Sequence, residues 1–310
     1  MVETEILRNS HLIDPQMHIW GWEIAAYLFL GGITAGLMTL SAIGMWRFGS
    51  GRSRALRWAP LLAIALLSLG MGALFLDLES KLHVFRFYLT FHLTSPMSWG
   101  SWILLAIYPA TILFGIAQLT DREWSASVSR LPLRVRLDQV RNWSRRRERS
   151  LAIWNIALGI LLGTYTGVLL GTLGARALWS SPLLGPLFLA SGFSSAAALL
   201  LLTPLAHQEH AWAMRWDIAA IGVEAALLLL YFAGLFAGGT STRAAAGLLF
   251  GGAYTAVFWS LVVIAGLAIP LTMEALEGKM RLAPTVAAPA LVLIGGLSLR
   301  WILVAAGQAL

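Results

Sequence analysis

The sequence predicts an all-α polytopic membrane protein, and three observations predict it. Only 12% of the 310 residues are charged, about half the share of a soluble domain, while 58% are hydrophobic. Mean hydropathy is +0.74. The apolar residues fall into eight runs of about 21–23 residues, enough to cross a hydrocarbon core of ~30 Å at ~1.5 Å per helical residue. The runs are continuous rather than alternating, which argues against a transmembrane barrel.

The first run, 24–46, starts too late and runs too long for a cleavable signal peptide, and its lead is acidic (Glu3, Glu5, Asp14). No twin-arginine motif is present. Gly32 and Gly36 give this run a small-xxx-small pair. The second run, 58–78, ends at Asp77. The third, 97–119, follows His92 and opens with Trp99 and Trp102. A basic segment, 120–150, holds nine arginines, including Arg145, Arg146 and Arg147 in succession. Such a loop meets anionic lipid and is expected to form a short interfacial helix, with no nucleic-acid partner implied. The fourth run, 151–172, carries Gly159, Gly163, Gly167 and Gly171, a ridge read as bundle packing, with Tyr165 pointing away from it. The fifth spans 183–204. The sixth, 216–238, contains Glu224. The seventh, 252–273, has Pro270 near its end and Glu274 just beyond. The eighth, 286–306, contains Arg300. Together they make one integral membrane domain, 1–310.

Loop arginines and lysines set the expected orientation. With the N-terminus outside, 16 of them fall on the inside and 6 on the outside. Both termini are therefore expected on the periplasmic side of a cell inner membrane, with 120–150 cytoplasmic. The formal charge of +7 is largely that one loop.

The chain has no cysteine, so it holds no cysteine-ligated cluster, disulfide or thiol nucleophile. Its six histidines (His11, His18, His83, His92, His207, His210) avoid the middles of the apolar runs, which argues against a haem held between helices. Metal-borne electrons would have to come from another subunit.

Ionisable groups within or at the edge of a span are costly and point to function. Here they are Glu23, Asp77, Glu79, Arg176, Asp217, Glu224, Glu274 and Arg300. On the expected topology, Glu23, Tyr27, Asp77, His92, Tyr165 and Arg300 can converge on one pocket in the outer half of the membrane. A carboxylate, a phenol and an imidazole suit the two carbonyl oxygens of a quinone. Trp20, Trp22, Trp99 and Trp102 read first as an interfacial aromatic belt, with Trp22 beside Glu23 counted among the quinone-binding candidates. Glu224 stands about eight residues from the inner end of its run, with Asp217 at the inner mouth and Glu209 and His210 in the adjoining loop. Asp217 and Glu224, with Asp77 outside, are the proton-transfer candidates. The plainer readings remain open: solvated helix ends for Glu23 and Asp77, a core tyrosine for Tyr165, an outward-snorkelling Arg300. Two other functions also remain, a secondary transporter with Asp217 and Glu224 as coupling carboxylates, and a structural membrane anchor.

Several stretches resemble the NrfD/PsrC family. They are Trp20 to Gly32 with Gly36; Ser95-Pro96-Met97-Ser98-Trp99-Gly100-Ser101-Trp102; Tyr165 to Leu170 with Ser181-Pro182 and Leu187 to Gly192; and Gly295 to Arg300 with Ala306-Gly307-Gln308. The resemblance implies a fold largely of two four-helix bundles, without haem or iron–sulphur cluster. It implies a subunit of a modular respiratory oxidoreductase that binds a quinone, menaquinone or ubiquinone, near the periplasmic face. Its implied partners are a ferredoxin-like iron–sulphur subunit and, through it, a molybdopterin-type (molybdenum or tungsten) catalytic subunit. By position in the family pattern, Glu23, Tyr27 and Tyr165 match the quinone-site positions and Asp77 an acidic position of the second helix. Tyr27 departs from the histidine or asparagine of some relatives.

Overall fold

The computed structural model describes residues 20–78, 81, 96–128, 134–172, 176–280 and 285–309. Among these residues every regular element is helical. The helices are α1 (Trp22–Phe48), α2 (Arg54–Asp77), α3 (Pro96–Gln118), α4 (Asp121–Val128), α5 (Arg134–Arg146), α6 (Glu148–Gly171), α7 (Leu184–Leu201), α8 (His207–Ala237), α9 (Thr240–Leu249), α10 (Thr255–Val257), a π-helical stretch (Phe258–Ala268), α11 (Ile269–Met280) and α12 (Ala287–Gln308). Eight helical spans are long and apolar enough to cross a membrane, α10 through α11 forming one continuous span. The chain is a multi-pass membrane protein.

Two apolar cores organise the spans. One joins α1, α2, α3, α6 and α7 through residues such as Leu37, Leu40, Leu67, Ile107, Leu162 and Ala197. The other joins α7, α8, the π-helical stretch and α12, with Leu28 of α1, through Phe188, Ile221, Tyr231, Phe258 and Leu299. These are the two four-helix bundles, α1–α2–α3–α6 and α7–α8–seventh span–α12, and α1 packs against both. Helices in lipid gain nothing from hiding apolar surface from lipid, so close backbone approach must hold such a joint. A Cβ on Gly32 would come 3.3 Å from Gly192 Cα, and one on Gly192 would come 2.6 Å from the Gly32 carbonyl oxygen. Glycine at both positions lets α1 and α7 cross in direct backbone contact.

Some boundaries differ from the hydropathy reading. The sixth span starts at His207, not near 216. Glu209 explains the extra turns: one carboxylate oxygen accepts from the Ala206 amide at 3.2 Å and the other from the Ser53 amide at 2.8 Å. This satisfies the orphan donors of a helix start, and it ties α8 to the start of α2. The seventh span reaches past 273 to Met280. Its π-helical turns directly precede Pro270, which has no amide hydrogen to donate back to Gly266. The basic segment holds two helices, α4 and α5, where one was expected.

Ion pairs hold those two helices to the bundle end. Arg57 meets Glu123 at 2.9 Å, and Thr120 donates to the same carboxylate from its amide and its hydroxyl. The Arg57 hydrogen bond is the main reason the Glu123 carboxyl is held down at about 2, from an ordinary 4.5. Arg141 and Arg145 both reach Asp121, at 2.8 and 3.0 Å, and the Arg141 hydrogen bond holds the Asp121 carboxyl below its usual range. Arg52 bonds to Gln118, which donates to Glu148 at 2.9 Å. Desolvation by burial lowers the Arg52 pKa from its ordinary value.

Candidate functional site

The end opposite the arginine-rich loop is closed by a joint between α1 and α12. Trp20 donates its amide to the Gln308 side chain at 2.8 Å and accepts from it at 2.9 Å. Its ring stacks on Trp179 at 5.2 Å, and Trp179 donates to the Leu303 carbonyl at 2.7 Å. Immediately beside this joint, Trp22 is exposed while Glu23 is half-buried. Asp77 at the end of α2 is also half-buried and lies within electrostatic reach of Glu23. Tyr27, one turn below Glu23 on α1, is buried.

Tyr165 is buried between α6 and α3. Its phenol lies over Gly100 so closely that a Cβ there would overlap the ring and the hydroxyl. The glycine of the Ser98–Gly100–Ser101 sequence is therefore what admits Tyr165 to the start of α3. Trp99 and Trp102 flank this point and are exposed. One turn deeper on α3, Leu104, Leu105, Tyr108 and Pro109 line an apolar hollow of about 470 Å³.

Arg300 lies elsewhere. Its side chain is fully buried on the other side of α1, inside the second bundle. It donates to the carbonyls of Leu28 (3.2 Å), Phe188 (3.1 Å) and Gly296 (2.9 Å) and to the Ser191 hydroxyl (3.0 Å). Its guanidinium carbon lies 5.3 Å from the Phe188 ring centre and 5.7 Å from that of Phe29, within cation–π range. A Cβ on Gly32 would come 2.6 Å from its Nη2, so the same glycine that joins the bundles makes room for the guanidinium. Glu224 faces Arg300 and shares Ser191 as a hydrogen-bonding neighbour. Toward the arginine-rich end, two turns along α8 from Glu224, Asp217 lies fully buried beside Ser194 of α7 and Glu274 of α11.

The structure thus divides the expected set. Glu23 and Asp77 lie within electrostatic reach of each other at one membrane end, with Tyr27 a turn below Glu23. Tyr165 lies at the α3–α6 contact of that same end, and a Cβ on Gly31, one turn beyond Tyr27, would come 3.7 Å from the side chain of the neighbouring Thr166. Arg300, expected in that pocket, lies in the second bundle, where protein acceptors take four of its N–H donors. Glu224, counted as about eight residues from the inner end of its run, lies instead beside Arg300. Hydropathy counts Glu224 from residue 216, whereas α8 begins at His207, which puts Glu224 near mid-helix. His92 and His18 lie outside the described residues, as does Glu79. Sequence reasoning places Ser191 within a motif but gives it no role, and it gives Glu274 no site. The signal that could have found them is the hydroxyl set Ser191, Ser194, Ser195, spaced to share one face of α7.

The chain matches the family model described as "Polysulphide reductase, NrfD" over residues 12–310. The chain belongs to the NrfD family. It is 32% identical over 304 residues to "Protein NrfD" of Escherichia coli (strain K12), covering 94% of this chain and 95% of that one. It is 30% identical over 311 residues to a polysulfide reductase chain of Wolinella succinogenes, covering 94% of each. A more distant similarity, 26% over 190 residues, covers 60% of this chain and 43% of a putative dimethyl sulfoxide reductase membrane subunit of Halobacterium salinarum. As an NrfD-family protein with eight candidate membrane spans, it is an oxidoreductase membrane subunit.

Proposed function

We propose that this NrfD-family chain is the quinone-reactive subunit of a respiratory reductase complex, with the quinone headgroup held at the end opposite the arginine-rich loop. That end would face the periplasm in a cell inner membrane, by the distribution of basic residues. The observation that carries the reading is the buried Tyr165 phenol, admitted by Gly100, at the same membrane end as the half-buried carboxyl groups of Glu23 and Asp77, which lie within electrostatic reach of each other. The donor set fits the group: a phenol and a protonated carboxyl donate to a carbonyl oxygen, and a carboxylate accepts from a hydroxyl. The apolar hollow below Gly100 offers an isoprenoid tail an apolar wall. When bound, the quinone, menaquinone or ubiquinone, supplies two-electron, two-proton chemistry.

In this reading the chain's own residues do the following. Tyr165 orients the headgroup by hydrogen bonding. Glu23 and Asp77 bring two carboxyl groups to one place, where a proton can pass between them and the headgroup oxygens. Trp22 and Tyr27 wall the entrance. Arg300 acts at one remove: it fixes α1, α7 and α12 through Leu28, Phe188 and Gly296. Asp217 and Glu224 provide proton-holding groups toward the opposite face. Electrons exchange with an iron–sulphur partner docked on the headgroup side, itself connected to a molybdopterin-type subunit. The names of the similar reductase chains support such partners.

The test is binding of a quinol analogue to the purified complex, followed by tryptophan fluorescence quenching. Tyr165→Phe and Glu23→Gln should each weaken binding roughly tenfold, a loss of ~1.4 kcal/mol, within reach of one hydrogen bond to a charged or polar group. Unchanged affinity in both would favour a structural anchor. Solute uptake by the chain alone would favour a transporter.

A further inference from the structure

We propose that Asp217 and Glu274 form one proton-holding unit, a carboxylic acid paired with a carboxylate, loaded from the arginine-rich face through a small cavity beside Glu274. Asp217 is fully buried and Glu274 is 2% exposed, on α8 and α11 respectively, and the two side chains are immediate neighbours. None of their four carboxylate oxygens has a hydrogen-bond donor in bonding geometry. Ser194 of α7 is the adjacent hydroxyl. Two unpartnered carboxylates cannot persist together in a low-dielectric interior, because desolvation and mutual repulsion both oppose them. A single proton between them removes one charge and supplies the missing donor.

The surroundings give that proton a route. His210, Met214, Glu274, Glu277, Thr285, Pro289 and Leu201 line a cavity of about 10 Å³, room for roughly one water. His210 and Glu277 place titratable groups on its wall. On the other side, Glu224 lies two turns further along α8, about 10 Å by helical rise, and within electrostatic reach of Asp217. The charged and titratable groups that bear on the pair are therefore Glu277 on α11, His210 and Glu224 on α8, and Arg300 on α12 beyond Glu224. α7 contributes hydroxyls alone, and the π-helical stretch has no titratable residue. A proton entering from water at the cavity forms one carboxyl O–H, and its onward acceptor is Glu224. This assignment concerns proton occupancy and stands whether or not the quinone reading does.

The experiment is infrared spectroscopy of the full chain in lipid, in H₂O and D₂O at neutral pH. The expected result is a protonated-carboxyl C=O band that shifts on deuteration and disappears, by one carboxylic acid per chain, in the Asp217→Asn/Glu274→Gln double variant. Recording both spectra in a Glu224→Gln background removes any contribution from Glu224, whose own protonation responds to the pair. An identical band in wild type and double variant overturns the proposal. So does a wild-type spectrum with no protonated carboxyl, which needs no variant to fold. Quinol-analogue binding is measured on the same samples. Loss of the band with binding retained separates this unit from the headgroup site, and failure of binding with the band present counts against the quinone reading alone.

Discussion

Replacing Arg300 by methionine should expose how the second bundle depends on one charge. The guanidinium is the largest fully buried side chain of the described residues, and it serves three helices at once through Leu28, Phe188 and Gly296 plus Ser191. The three carbonyls belong to helices and keep helical donors, so their loss is modest. The greater cost falls on Glu224, 3% exposed, left facing no cation. Breaking a buried pair in contact costs about 3–5 kcal/mol; with Ser191 between these two groups the low end, about 3 kcal/mol, applies, so Arg300→Met should lower the unfolding midpoint in detergent by roughly 6–9 °C, taking ~2–3 °C per kcal/mol for a chain of this size. Glu224→Gln should cost less, because an amide still bonds to Ser191. Combined, the two changes should cost at least about 1.5 kcal/mol less than the sum of the singles, since the double variant leaves no unpaired charge. The assay is thermal unfolding of the two singles and the double under one detergent condition. Strict additivity would refute the coupling. Arg300→Lys should not rescue, because one ammonium cannot reach four acceptors arranged around a planar fork.

Three further outcomes follow from particular contacts. Glu123, with its folded value near 2 against 4.5 unfolded, contributes stability that is fully present above about pH 4.5 and is lost as pH falls toward 2. With a side chain 13% exposed, that is on the order of 2–3 kcal/mol, and Glu123→Gln should flatten the unfolding midpoint over pH 3–6; an unchanged slope would count against the Arg57 pairing. Gly32→Ala should drive Arg300 from its seat and separate α1 from α7, costing about 2–4 kcal/mol as an overpacked contact that neither backbone can relax; wild-type thermal stability would contradict the close approach. Gly100→Ala should displace the Tyr165 phenol and weaken quinol-analogue binding about as much as Tyr165→Phe, roughly tenfold, with the helical circular dichroism unchanged; normal affinity would separate Tyr165 from the headgroup.

The eight spans were legible because hydrophobic length is a one-dimensional signal that lipid reads directly. The glycine pairs were legible too, as small-xxx-small spacing, although which helix each would meet was not. Depth was less accessible. Hydropathy ends a span where polar residues begin, but Glu209 caps α8 from within a polar stretch, and the helix therefore starts nine residues before the apolar run. That offset moved Glu224 from the inner third to near mid-membrane and beside Arg300. Azimuth was not accessible at all for Arg300. Topology fixes how deep a residue lies, whereas only the packing of α1 between the bundles decides that Arg300 turns toward Ser191 and Glu224 while Tyr165 turns toward Gly100. The Glu274 partnership was hidden for the same reason, since it joins α11 to α8 across 57 residues of sequence.

The buried charges of the second bundle have a consequence when counted together. Arg300 and Glu224 offset each other across Ser191. If Asp217 and Glu274 hold a single proton, the interior carries one uncompensated negative charge, and a second proton brings it to neutrality. In a low-dielectric medium that difference is felt at Glu224, which lies within electrostatic reach of Asp217 on one side and faces Arg300 on the other. The occupancy of the Asp217–Glu274 pair should therefore be sensed at Glu224 and, through Ser191, by the guanidinium that holds α1 against α7 and α12. The guanidinium holds α1 at the Leu28 carbonyl, next to Tyr27 and about one turn from Glu23, so a change in proton occupancy at the pair should be felt by the helix that carries these two residues.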